Sequence, residues 1–122
     1  MADFNVRYHY QSKEGGYWSG TSTSVRTADD RPSASALIAL IKEKYRSYYD
    51  VKIEEVEKRG EKKVEFSVRY HYKSDATSSY RSSTSDYVKW YDDDPSMSDI
   101  QALIEGKRNK YCDISIDEVK KR

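Results

Sequence analysis

Phe4-Asn5-Val6-Arg7-Tyr8-His9-Tyr10 and Phe66-Ser67-Val68-Arg69-Tyr70-His71-Tyr72 are one seven-residue phrase written twice, 62 positions apart. In both, Phe, Val, Tyr and Tyr alternate with Asn or Ser, Arg and His. That period of two is the pattern of a strand buried on one face and open on the other. Outward from the phrase the likeness continues, at an offset of 63 from Tyr17 and Tyr80 onward. Asp29-Asp30-Arg31-Pro32-Ser33 answers to Asp92-Asp93-Asp94-Pro95-Ser96, Ala39-Leu40-Ile41 to Ala102-Leu103-Ile104, and Lys58-Arg59 to Lys121-Arg122. About half of the aligned positions are identical, and the matches include Phe, His, Tyr and Pro, so low complexity does not produce them. The reading is a tandem duplication, with a first unit at 1–60 and a second at 61–122.

Each unit reads as strand, strand, helix, strand. Lys13-Glu14-Gly15-Gly16 makes a turn after the first strand. The second strand, residues 17–26, opens on Tyr17, ends on Arg26 and is rich in Ser and Thr; its counterpart is 80–89. Strands so poor in apolar side chains belong at a sheet edge. Helices begin at Ser33 and Ser96, both suited to N-capping, and Ser96-Met97-Ser98-Asp99 resembles a capping box with Asp for Glu. Leu37, Leu40, Ile41, Tyr45 and Tyr48 form one apolar helical stripe, while Gly106 weakens the second helix by about 1 kcal/mol. Lys42 and Lys44, and Lys107 and Arg108, suit the helix C-termini, as the carboxylates at 29–30 and 92–94 suit the approach to the N-termini.

The expected fold is α+β: a duplicated ββαβ unit forming a two-layer sandwich, with mainly antiparallel strands in the order 2-1-3 and one helix per repeat. Arg59-Gly60-Glu61-Lys62 is a turn short enough to pair the third strand of one unit with the first of the next. Third strands are therefore either kept or exchanged between repeats, and both forms stay open. Either way one cooperative domain is expected, because a unit of about 60 residues is marginal alone.

Composition agrees with a folded domain of unusual core. Leu, Ile, Val and Phe number only 20 of 122 residues, but 22 basic and 21 acidic residues nearly cancel and 12 tyrosines supply apolar volume. The longest apolar run, residues 36–41, is far too short to span a bilayer. The first residues lack the basic start and apolar stretch of a signal peptide, and Cys112 has no cysteine partner, which point to the cytoplasm.

Function is less explicit. Strand parity turns Arg7, His9, Arg69 and His71 away from the helices. On the second strands it turns Tyr17 and Val25 inward, and Trp18, Arg26, Arg81, Tyr87 and Lys89 outward. Cations interleaved with aromatics on an open sheet suit single-stranded nucleic acid or another anionic ligand, though solvated sheet faces commonly look the same. Two His and one Cys make no metal site, and no nucleophile–base pair or phosphate loop is present, so no enzyme, metal or cofactor is expected. Cys112, standing where the first unit has Tyr49, reads as a packing residue. The expectation is a small cytoplasmic interaction or adaptor protein that presents a sheet face, or the edge at 17–26, to a protein partner or a second copy. The alternative is a weak single-stranded nucleic-acid binder using the outward residues.

Overall fold

The two repeated phrases become the central strands of two three-stranded ladders. The computed structural model describes residues 1–73, 83–108, 111 and 113–122. The elements run β1 (Ala2–Gln11), β2 (Ser19–Thr27), α1 (Ala34–Lys44), β3 (Asp50–Lys58), β4 (Val64–Lys73), β5 (Thr84–Trp90), α2 (Met97–Lys107) and β6 (Asp113–Lys121). They build one six-stranded mixed sheet, ordered β2-β1-β3-β5-β4-β6, with two helices. Within each half the order is the expected 2-1-3 and every pairing is antiparallel. The halves meet along β3 and β5, which run parallel and pair only at Glu55 and Lys89.

The alternation of β1 is realised side chain by side chain. Phe4, Val6 and Tyr8 are essentially sealed from solvent, as are Leu37 and Ile41 of α1 and Ile53 and Val56 of β3, while Asn5 and Arg7 are exposed. In the second half Val68 and Tyr70 are sealed with Ile100, Leu103 and Ile104. Ser33 accepts a hydrogen bond from the Ala36 amide, and Ser96 and Asp99 form the full capping box. The helices stop at Tyr45 and Arg108, whose amides donate to Ile41 and Ile104. Tyr48 and Tyr111 therefore lie beyond the helices and pack on the strand tyrosines Tyr10 and Tyr72.

Four features join the halves. The Asp99 carboxylate accepts from the Ser96 amide with one oxygen and from the Ala34 amide of α1 with the other, at 3.0 and 2.8 Å, so one side chain caps both helices. Trp90 and Tyr91 are 1% and 5% exposed; the Tyr91 ring meets Phe4 edge-on and its hydroxyl donates to the Pro32 carbonyl. Arg31 reaches Asp92 and Asp94, so those carboxylates hold the opposite half as well as preceding a helix. Gly106 lies so close to β3 that a Cβ there would stand 1.7 Å from the Ile53 carbonyl oxygen. The glycine that reads as a helix weakness is what lets α2 lie on the backbone of the other half.

Three expectations need correction. The short turn after β3 does not pair β3 with β4: β5 lies between them, and each half keeps its own third strand. The second strand of the second half is interior rather than an edge, because Val88 and Trp90 bring the apolar burial that Val25 and Thr27 supply only in part. Tyr17 is 96% exposed instead of inward, since it precedes β2 and escapes the strand's parity. Tyr80 and Cys112 lie outside the described residues.

Candidate functional site

The sheet face away from the helices carries the side chains expected there, in an order set by register. Asp3, Asn5, Arg7 and His9 of β1 stand opposite Arg26, Ser24, Ser22 and Gly20 of β2. On the other side Arg7 faces Glu55, and a bulge inserts Glu54 before the pairing resumes at Tyr8 and Ile53. The second half repeats the device: Arg69 faces Glu118, and Asp117 is the inserted residue. Each bulge thus presents an extra carboxylate to this face.

Those carboxylates answer the cations. Arg7 lies 3.9 Å from Glu54, Arg69 3.7 Å from Glu118, and Lys89 4.0 Å from Glu55. Arg26 holds Asp3 through two hydrogen bonds, and this contact keeps the Asp3 carboxyl below the usual carboxylate range. His71 meets Asp117 through Nδ1, whereas the buried Nδ1 of His9 has no hydrogen-bond partner. Trp18 is half-buried under the ammonium of Lys52, and the exposed Tyr87 ring lies against the guanidinium of Arg122. Arg81 lies outside the described residues. Arg7, Tyr87 and Lys89 do come together, in a cleft of about 340 Å³ at the β3–β5 seam with Glu54, Glu55, Glu65 and Lys107. The sequence reading missed the four last: the parallel pairing brings Glu54 and Glu55 to Lys89, whereas Glu65 faces Lys89 across the β4–β5 ladder and Lys107 reaches Tyr87 from α2. Cations and carboxylates alternate throughout this face, and it offers no positive stripe among the described residues.

The sheet's edges are the other candidate surface, and they differ. β6 carries the Asp117 bulge and the charges of Asp113, Glu118, Lys120 and Lys121, devices that discourage further pairing. β2 has neither proline nor bulge, and from Ser19 to Val25 no charged side chain. Its open backbone groups follow from one hydrogen bond. The Arg59 amide donates to the Asp3 carbonyl at 2.9 Å, so Asp3 and its same-parity neighbours in β1 turn their backbone toward β3. The residues opposite them, Gly20, Ser22, Ser24 and Arg26, then direct N–H and C=O outward. Lys44 crosses from α1 and donates to the Ser24 carbonyl at 2.8 Å. Its counterpart Lys107 donates to the Tyr87 carbonyl at 2.6 Å.

Among the described residues no three His, Cys, Asp or Glu side chains converge as they would on a metal ion, and no helix is long and apolar enough to cross a membrane. Comparison of the chain with protein-family models, with curated proteins and with solved structures finds no match.

Proposed function

We propose that this chain is a small non-enzymatic interaction protein of the cytoplasm, built by tandem duplication of a ββαβ unit, that takes up the strand of another polypeptide along β2. The observation that carries this reading is the outward backbone of Gly20, Ser22, Ser24 and Arg26 on a strand with neither proline nor bulge, where Lys44 engages the Ser24 carbonyl. Main-chain hydrogen bonds supply the affinity in strand addition, and side chains beside the edge supply selectivity. The outer face works against the nucleic-acid alternative: Arg7, Arg26, Arg69 and Lys89 each stand beside a carboxylate, which offsets the charge a phosphate backbone needs.

Ser22→Pro removes an outward amide from the middle of the edge and leaves the β1–β2 ladder its own bonds. A partner strand that binds purified wild type should bind this variant at least tenfold more weakly, by calorimetry or fluorescence anisotropy, roughly the loss of one net backbone hydrogen bond. Equal affinity for the two proteins refutes edge addition. In parallel, a salt titration with a labelled single-stranded oligonucleotide should give no steep dependence of binding on ionic strength. A steep slope restores the alternative.

A further inference from the structure

We infer that the strand β2 accepts is the β2 of a second copy, paired antiparallel about a two-fold axis at Ser22; this rests on the edge reading above. On the outer face of this edge the side chains run Gly20, Ser22, Ser24, Arg26, and Trp18, just before β2, is set on the same face by its contact with Lys52, the partner of His9. The run is self-complementary when reversed about its centre. Ser22 meets its own copy, Gly20 meets Ser24, and Arg26 meets Trp18 on both sides of the axis. Small residues thus oppose small ones, and each end gains a guanidinium against an indole, the strongest side-chain pairing this edge can make with itself. On the helix side the same register sets Thr21 against Thr23 and Ser19 against Val25, pairs without charge.

Neighbouring registers lose this match: an axis at Thr23 sets Arg26 against Gly20 and Trp18 against Ala28 beyond β2, and one at Thr21 sets Trp18 against Ser24 and Arg26 against Gly16, while axes one step further out fare no better. An axis at Ser24 sets Arg26 against Ser22 and leaves Trp18 beyond the end of the partner strand. An axis at Gly20 sets Arg26 against Glu14, which lies in the turn before β2. Both aromatic and cation are available for the new contact: the Arg26 side chain is 66% exposed, and Lys52 covers one side of the Trp18 ring at 4.9 Å. The Lys44 ammonium on the Ser24 carbonyl is compatible with pairing, since a carbonyl oxygen accepts two hydrogen bonds. The result is a closed, two-fold, twelve-stranded sheet whose outer ends are both β6, the edge defended by bulge and charge.

Sedimentation velocity over a wide concentration range, with cysteine variants in a Cys112→Ser background, tests the pairing and its register. Wild type should associate to a dimer, and Trp18→Ala should weaken it at least tenfold. Ser22→Cys should form a disulfide-linked dimer under mild oxidation, because a directly paired position brings the two Cα atoms to about 5.5 Å. Ser24→Cys should not, since the axis separates its two copies by roughly 14 Å. A wild type that stays monomeric at the highest concentration, with fast-exchanging amides at Gly20, Ser22 and Ser24, overturns the second copy and leaves edge addition by a foreign strand intact. A dimer that survives Ser22→Pro, or that Ser24→Cys links as readily as Ser22→Cys, overturns the register; survival in Ser22→Pro overturns the edge reading with it.

Discussion

The two halves share their element order and half of their aligned residues, yet they solve the same packing problem with different chemistry. In the first half, Thr23 on the second strand faces Tyr45 at the helix end, two hydroxyls 3.0 Å apart. In the second half the corresponding positions hold Asp86 and Arg108, joined by two hydrogen bonds, with Tyr70 donating to the same carboxylate. A neutral pair at the open edge becomes an ion pair in the interior. The contrast extends along the chain: Thr27 and Ala28 correspond to the buried Trp90 and Tyr91, Ala36 to the shared cap Asp99, and Glu43 to Gly106. The second half thus carries the residues that weld the pair, and the first keeps a bare strand at the outside. The two halves thus stand as an inner and an outer unit.

Paired substitutions can break that contrast. The largest effect is expected at the seam: Trp90→Ala should cost about 3–5 kcal/mol in denaturant unfolding, the usual range for a buried aromatic, whereas Thr27→Ala should cost under about 0.5 kcal/mol. Comparable losses would mean the halves are held alike. Gly106→Ala should come next, at about 3 kcal/mol, because the added carbon meets backbone rather than a side chain that can yield. Glu43→Ala, on the exposed counterpart, should stay within about 0.5 kcal/mol. Both seam variants should still unfold in one transition if the weld is merely loosened, and a split calorimetric peak would show that it has been cut.

The ion pair should rank third. Asp86→Ala strips Arg108 and the buried Tyr70 hydroxyl of their partner, at about 2 kcal/mol. The joint change Asp86→Thr and Arg108→Tyr, which installs the first half's pair, should recover most of it. Acid sharpens the comparison. Burial alone would raise the Asp86 carboxyl, but the hydrogen bonds from Arg108 and Tyr70 outweigh it and hold the group below its ordinary value. With the folded value depressed, this contribution is complete above pH about 4 and is lost as pH falls through the folded value. Wild type should therefore lose more stability on acidification than the exchanged variant, and equal slopes would contradict the assignment. Alkali acts on both halves, because burial chiefly raises Tyr8, Tyr70 and Tyr91, so their stabilisation is complete below pH about 10 and declines above it. Smallest of all, Arg7→Ala should change stability by less than about 0.5 kcal/mol, since its partner Glu54 is 3.9 Å away at the surface.

What was legible in the sequence was what local periodicity encodes. The alternation of Phe4 to Tyr10 shows which face of β1 is buried, and Ser33 and Ser96 mark the helix starts. The 2-1-3 order held in both halves, and the edge position expected from the polar character of the second strand held for β2. It failed for β5 because edge or interior is decided by the other half, through contacts that no period reports. The signal lay in the differences between the copies, where Trp, Tyr, Asp and Gly replace Thr, Ala, Ala and Glu at positions facing the seam. The outer face was legible in its cations but not in their neutralisation, since the carboxylates at Glu54 and Asp117 reach it only through bulges.

The single rung between β3 and β5 also bears on the order in which the molecule is made. As the chain leaves the ribosome, β1, β2, α1 and β3 are complete before any of the second half exists. During that interval the far side of β3, including the Ile53 carbonyl that later lies against Gly106, is a second open strand edge. Synthesis at about 5–20 residues per second keeps it open for several seconds. Nascent neighbours on one message would meet there, and a swap of second halves between them would reproduce every seam contact. Slow codons after residue 60 should therefore raise the yield of interlocked dimers, a product distinct from the edge-paired one because dilution would not dissociate it, and one that size-exclusion at low concentration removes before the edge is tested.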